Sequence, residues 1–317
     1  MIRYGITVPF DVPLSEHREW FEELVSLGYS DVWSSEADGT DAFTPLALAA
    51  AWAPSLRLGT AIIPAFTRGP ATLAMSVAAM AEATPGGFVC GVGTSSDVIV
   101  QAWNDVPFER PYQRTRDVVR FLRAALSGER VDEEYETFTV RGFRLGRPPA
   151  LPPPILVAAL RPGMLRMAGR EADGAIINWL SASDVTKVVP EVGAGKEIVA
   201  RIFVCPSEDT EAVRAAGRRL IAGYLNVPVY AAFHEWLGRG PRLAAMWDAW
   251  KARDCKEALA AIPDEVVDDL VVHGPPAECR ATIERYVANG VTTTALAVLP
   301  FGGTDVRQAV RDLAPRA

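Results

Sequence analysis

Histidine is scarce in this chain: three residues in 317, His17, His234 and His273, far apart and with no ligand spacing. That spacing argues against a metal centre built on imidazoles. Cysteine is almost as rare. Cys90, Cys205, Cys255 and Cys279 are scattered and form no CxxC pair. They read as reduced thiols in a cytoplasmic protein, not as a disulfide framework. No apolar run reaches membrane-spanning length without a Gly, Pro or charge, so no membrane segment is expected. GxSxG, P-loop and GxGxxG motifs are absent, which removes the sequence signatures of a hydrolase elbow and of two phosphate cradles. The short GxG in "CGVGTSS" carries little weight alone. Nor is there a basic excess: the formal net charge of −7 disfavours nucleic acid as the main partner. The opening "MIRYGITVPFDVP" enters a strand directly and has no signal-peptide shape.

What is present is a soluble composition, 49% hydrophobic and 22% charged, with enough chain for a substantial core. Short apolar runs alternate with amphipathic stretches. Eight strands are expected, at Arg3–Pro9, Asp31–Ser35, Arg57–Ile63, Phe88–Gly93, Pro154–Leu160, Ala175–Leu180, Glu197–Cys205 and Thr293–Leu299. Between them lie helical patterns with glycine stops. "LSEHREWFEELVSLG" ends at Gly28, "PYQRTRDVVRFLRAALSG" at Gly128 and "PAECRATIERYVANG" at Gly290. Eight such repeats predict an α/β fold, a (β/α)8 TIM barrel with insertions. An open doubly wound sheet is the other arrangement of such repeats, but it would normally show a glycine-rich first turn, and here the first strand ends in "VPFDVP".

Two segments interrupt the alternation. One predicts a hairpin, Tyr135–Val140 with Gly142–Leu145, before a proline-rich entry to the fifth strand. The other, about 226–269, predicts an insertion over the C-terminal face of a single domain spanning 1–317. The helices Phe43–Ala53 and Ala71–Ala83 are apolar nearly all round; either they form a homodimer surface or the insertion covers them.

A barrel's active site forms where its strands end. The ends here read "TVPF", "SSEADGTDAF", "AIIPAF", "GVGTSSD", "AALRPG", "INWL", "CPS" and "VLPFGG". This mouth is apolar and made of small residues. It suits a flat aromatic ligand and offers no nucleophile–base pair.

Four stretches carry a resemblance: "DVWSSEADGTDAFTPLALAAAWAPSLRLGTAIIPAFTRGP", "GGFVCGVGTSS", "PPILVAALRPGMLRMAGREADGAIINWL" and "VHGPPAECRATIERYVANGVTTTALAV". Together they resemble the bacterial luciferase-like superfamily. They are more closely similar to its coenzyme F420-dependent oxidoreductase branch, related to methylenetetrahydromethanopterin reductase. The resemblance implies hydride transfer between a deazaflavin and a small organic substrate, with FMN as the other cofactor used on this scaffold. Two further functions stay open: an FMN-dependent monooxygenase using dioxygen, and a non-catalytic flavin or deazaflavin binder.

The resemblance also implies site residues. A cis peptide at Ala61–Ile62 would form a bulge behind the cofactor ring. Glu36 would act at the ring's polar edge or as proton donor or acceptor; its other reading is a cap on the next turn. Ala37 stands where relatives often carry histidine, and Ser96 where the sugar-phosphate dehydrogenases carry glutamate. Gly91 and Gly93 would let the chain pass beneath the cofactor, with Thr94 against its tail. Ala158, Ala159, Leu160, Arg161, Pro162 and Gly163 would hold its phosphate at a helix start, and Asn178 would meet the tail or phosphate. Trp179 reads as pocket wall or core packing. Phe10, Phe66, Trp103 and Tyr230 are candidate substrate walls, and His234 reads as a surface residue on a helix.

Overall fold

Why these residues make a barrel is visible in their alternation. The structure, a computed structural model, describes residues 2–315. Its eight main strands are β1 (Arg3–Val8), β2 (Asp31–Ser34), β3 (Arg57–Thr60), β4 (Phe88–Gly93), β5 (Ile155–Ala158), β6 (Gly174–Asn178), β7 (Glu197–Cys205) and β8 (Thr293–Val298). Each pairs in parallel with the next, from Gly5 opposite Asp31 round to Val199 opposite Thr293. β8 then pairs with β1, Thr293 opposite Arg3, and closes the sheet on itself. The eight expected strands all appear, and the fold is the expected (β/α)8 barrel.

Within each strand one face points inward and the other meets a ring of helices. The inward set is Trp33, Val89, Leu156, Ile176, Val199 and Ala295, with Ala61 and Ile62 against it. The outward set, including Ile6, Val32, Leu58, Val92, Val157 and Ile177, joins the helices in the main core. Trp33 fills the middle of the barrel because its neighbours lack side chains. A Cβ on Gly59 would lie 2.3 Å from Trp33 Cζ3, and one on Gly5 2.9 Å from its Cδ1.

Ion pairs tie the strand starts together at the N-terminal end. Arg3 Nε reaches Asp31 at 2.7 Å, and Arg57 bridges Asp31 at 2.5 Å and Glu197 at 2.6 Å. Thr293 donates to Glu197 at 2.8 Å.

Helices α1 (His17–Ser26), α2 (Thr44–Trp52), α3 (Pro70–Ala83), α4 (Pro111–Leu126), α5 (Pro162–Glu171) and α6 (Val185–Val192) follow successive strands. After β7 comes a helical run: α7 (Thr210–Leu225), α8 (Pro228–Leu237), α9 (Gly240–Lys251), α10 (Cys255–Ala260) and α11 (Asp264–Leu270). α12 (Pro276–Ala288) leads into β8, and α13 (Val306–Asp312) follows it. None of the described helices is long and apolar enough to cross a membrane.

The hairpin differs from expectation. Its strands are Val131–Glu134 and Thr139–Phe143, and Tyr135–Phe138 form the turn. Asp117 of α4 fixes that turn by accepting from both the backbone N–H of Thr137 at 3.0 Å and its hydroxyl at 2.9 Å. Tyr135 and Phe138 pack on Phe121, so aromatic residues that read as strand are spent on anchoring the turn.

Candidate active site

The residues expected beneath a flat ligand come together. The peptide bond between Ala61 and Ile62 is cis. Just beyond it, Ile63–Pro64 returns to the sheet and pairs with the end of β4, Ile63 opposite Val92 and Pro64 opposite Gly93. A Cβ on Gly93 would meet Ala158 Cβ at 2.8 Å and Ile62 Cγ1 at 3.1 Å. Ile62, Gly93 and Ala158 therefore lie side by side, a floor built from three adjacent strands. Gly91 sits one step deeper, where a Cβ would be 1.8 Å from the Thr60 carbonyl oxygen and 2.5 Å from Ile176 Cδ1. Only glycine fits there, so the floor rests directly on the packed barrel interior. Thr94, at the end of β4, donates its hydroxyl to the Ser95 carbonyl at 3.1 Å.

Next along the chain from the floor is the start of α5. Ala159 is buried and its N–H donates to the Ile176 carbonyl at 3.0 Å. Leu160 is half-buried, Arg161 is the extended N-cap residue and Pro162 opens the helix. No side chain caps the free N–H groups of the first turn, and Arg161 and Gly163 are exposed around them. A helix start with open N–H groups and a neighbouring guanidinium has the donor set an anionic oxygen needs.

Both carboxylate oxygens of Glu36 have partners. One oxygen meets Arg68 Nη1 at 2.7 Å and the Thr67 hydroxyl at 3.4 Å; the other accepts from the Ala42 N–H at 3.0 Å. The carboxylate ties the loop after β2 to the loop after the β3 bulge. Asp41 accepts from the N–H groups of Phe43 and Thr44 at the start of α2, a capping role.

At the end of β6, the strand next to the floor strand β5, Asn178 Nδ2 donates to the Tyr230 hydroxyl at 3.4 Å. Trp179 is buried, with its ring 4.3 Å from that of Phe203 and 5.0 Å from that of Tyr224. Of the other aromatic residues, Phe10 is buried and stacks on Trp20, and Phe66 is buried against Phe108. Trp103 is 56% exposed, on a wide helical turn from Val98 to Trp103.

Arg201 was not apparent as a site residue in the sequence. It is opposite Asn178 in the β6–β7 register and on the inward face two residues beyond Val199. Its guanidinium lies 5.1 Å from the Phe203 ring centroid, and burial pushes its pKa below the ordinary value. The available signal was a lone charge at an inward position of the apolar strand "IVARIFVC".

His234 is a correction. Expected on the surface, it is fully buried on α8, with neither ring nitrogen hydrogen-bonded. α8 is folded inward because Arg239 at its end is anchored, by Asp184 at 2.7 Å, Asp269 at 3.0 Å and the Ser181 hydroxyl at 3.1 Å. Burial, and then the Arg239 charge, push the His234 pKa down from 6.5 to about 4. The unfolded chain thus binds this proton more readily than the folded one. Folded stability from this residue is fully present above about pH 6.5 and declines as pH falls towards about 4, by up to ~3 kcal/mol. Urea unfolding at pH 7 and about pH 5 should therefore show a loss in the native protein that is smaller in His234→Phe. An equal loss in both would remove His234 as the cause.

The sequence profile of the family described as "Luciferase-like monooxygenase" matches residues 2–293. The chain belongs to the luciferase-like monooxygenase family. Among its luciferase-like relatives is the 5,10-methylenetetrahydromethanopterin reductase of Methanolobus tindarius, 25% identical over 302 residues, covering 91% of this chain and 92% of the relative. A putative coenzyme F420-dependent oxidoreductase of Mycobacterium tuberculosis is 25% identical over 333 residues, covering 95% and 94%. Among solved structures, the coenzyme F420-dependent tetrahydromethanopterin reductase of Methanopyrus kandleri superposes with a TM-score of 0.81 at 19% identity, covering 99% of this chain and 97% of that one. At that identity the superposition speaks for the fold alone.

Proposed function

We propose that this luciferase-like protein is an oxidoreductase that binds coenzyme F420 and moves a hydride between it and a small organic substrate. The observation that carries this reading is the floor of Ile62, Gly93 and Ala158 over a solid barrel interior. A planar ring needs a flat seat without projecting side chains, and this is one. The Mycobacterium tuberculosis relative, which matches almost the whole chain and bears F420 in its name, supports the choice of cofactor.

When bound, F420 supplies the hydride chemistry at C5 of its ring. The protein's part is to seat, orient and shield. Ala61, Ile62, Gly91 and Gly93 form and support the seat, and Ala158 extends it. Leu160, Arg161 and Gly163 would offer backbone N–H groups and a guanidinium to the phosphate, with Ala159 and Pro162 shaping the turn that exposes them; we assign Thr94 and Asn178 to the tail. Glu36 holds the β2 and β3 loops together through Arg68, and its carboxylate is the acid–base group we assign to the polar edge. The segment 226–269, whose Tyr230 reaches Asn178, walls the substrate side. We further take the outward faces of α2 and α3, with Ala47, Ala51, Met75 and Ala79 exposed, as the surface of a homodimer in the cytoplasm.

Purified protein titrated separately with oxidised F420 and FMN, followed by cofactor fluorescence, tests the reading. F420 should bind at micromolar concentration or tighter, and FMN much more weakly. A preference for FMN would overturn the deazaflavin assignment and point to oxygen-dependent chemistry. Binding of neither would remove the cofactor reading altogether.

A further inference from the structure

Arg201 is a cation the barrel does not neutralise. Its Nε is sealed from solvent without an acceptor; its terminal nitrogens are not sealed and have no hydrogen-bond or ion-pair partner among the described residues. The inward positions towards the same end on other strands are Thr7, Ala61, Gly91, Ala158, Asn178 and Ala297, none of them acidic. Glu36, a carboxylate of the mouth on β2, is already paired with Arg68. Around the guanidinium are Phe203, Tyr224, Tyr230 and Asn178, which offer aromatic surface and a polar edge but no negative charge. Arg201 is half-buried, with its Nε sealed and its terminal nitrogens open to the mouth; a partly desolvated guanidinium without a counter-charge is costly, and an anion entering the mouth would offset that cost.

The position says which ligand brings that anion. The floor belongs to β3, β4 and β5. In the closed order of eight strands, β7 stands across the barrel from β3. A ring seated on the floor presents its open side to β7, the side from which the second reactant must approach. The phosphate-binding start of α5 lies next to the floor, on the other hand, and has its own cation in Arg161. We infer that the substrate carries an oxyanion, a carboxylate or a phosphate, and that Arg201 is its anchor, with the Tyr230 hydroxyl beside it and the Phe203 and Trp179 rings walling the remainder. The inference builds on the F420 reading only in naming the anion's owner as substrate.

Thermal unfolding tests it, with inorganic phosphate and benzoate as separate probes against sodium chloride at matched ionic strength. The native protein should be stabilised by at least one of the two anions. A response to phosphate alone identifies a phosphoryl substrate, and to benzoate alone a carboxylate. In Arg201→Met the apparent anion affinity should fall by roughly tenfold to a hundredfold. That variant, freed of an unpaired charge, should unfold no earlier than the native protein when no anion is added; Arg201→Lys should retain part of the anion response. F420 titration of Arg201→Met keeps the two readings apart: its affinity should match that of the native protein. Lost F420 affinity would transfer Arg201 to the cofactor and overturn the substrate assignment. No response to either anion, or the same response in native protein and Arg201→Met, would overturn the anchor itself. If the native protein binds the anions but not F420, the anchor stands and the cofactor reading falls.

Discussion

Ala158→Phe will abolish F420 binding and leave the barrel folded. Ala158 ends β5 with its methyl group beside Gly93 and Ile62, half-buried and facing the mouth. A benzyl group there projects into the space above the floor, not into the core. The fold should therefore tolerate it, whereas the same enlargement at Gly91 would drive a side chain into the Thr60 carbonyl. The cofactor ring cannot lie flat over a projecting phenyl group. The expected loss is roughly a hundredfold or more in affinity, with the far-UV circular dichroism and thermal midpoint close to those of the native protein. Ala158→Gly, which keeps the seat flat, should bind nearly as well as the native protein. Undiminished F420 binding by Ala158→Phe would mean that the ring sits elsewhere. A collapse of the circular dichroism would be uninformative about the floor, and Ala158→Leu, with a smaller and more flexible side chain, then gives the same test at lower strain.

The barrel was legible because its two periodicities are both strong. The inward and outward residues of each strand alternate, and the helices between strands carry their own stripe and glycine stop. The floor was legible for a different reason: small residues at the strand ends indicated an apolar mouth suited to a flat ligand, and the family resemblance implied which of them lie under the ring. Less could be read of the remainder. Arg201 stood in the sequence as one charge in an apolar strand, and only the register opposite Asn178 puts it in the mouth. His234 lies on a helix whose pattern leaves its orientation open; the Arg239 cluster, formed with residues 30 and 55 positions away, turns it inward. Glu36 could be placed at the mouth from its strand, but its partners on the next loop are set by the fold. The hairpin slipped in the sequence because Tyr135 and Phe138 have strand-like side chains but are used in the turn. In each case a partner distant in sequence decides the outcome, and local pattern does not contain that partner.

Trp33→Ala will cost more stability than any of the other substitutions considered. Trp33 is fully buried, fills the barrel between β1 and β3, and lies beneath the Arg57 guanidinium, 5.6 Å from the ring centroid. Removing a buried tryptophan forfeits its transfer free energy and leaves a void, together about 3–5 kcal/mol. The barrel cannot readily collapse to fill the gap, because its circumference is fixed by eight strand pairings and its N-terminal end by the Arg3–Asp31–Arg57–Glu197 ions. The upper half of that range is therefore expected, read as the free energy of urea unfolding. A double-mutant cycle shows whether packing is the cause. Gly59→Ala alone should also destabilise, since its methyl group would lie 2.3 Å from the Trp33 ring. In the Trp33→Ala background that methyl group enters the void instead. The double variant should thus be more stable than the sum of the single effects implies, by about 1–3 kcal/mol. Simple additivity would mean that Trp33 and Gly59 do not share a packing contact, and that the barrel interior is held by something other than the fit of this one ring.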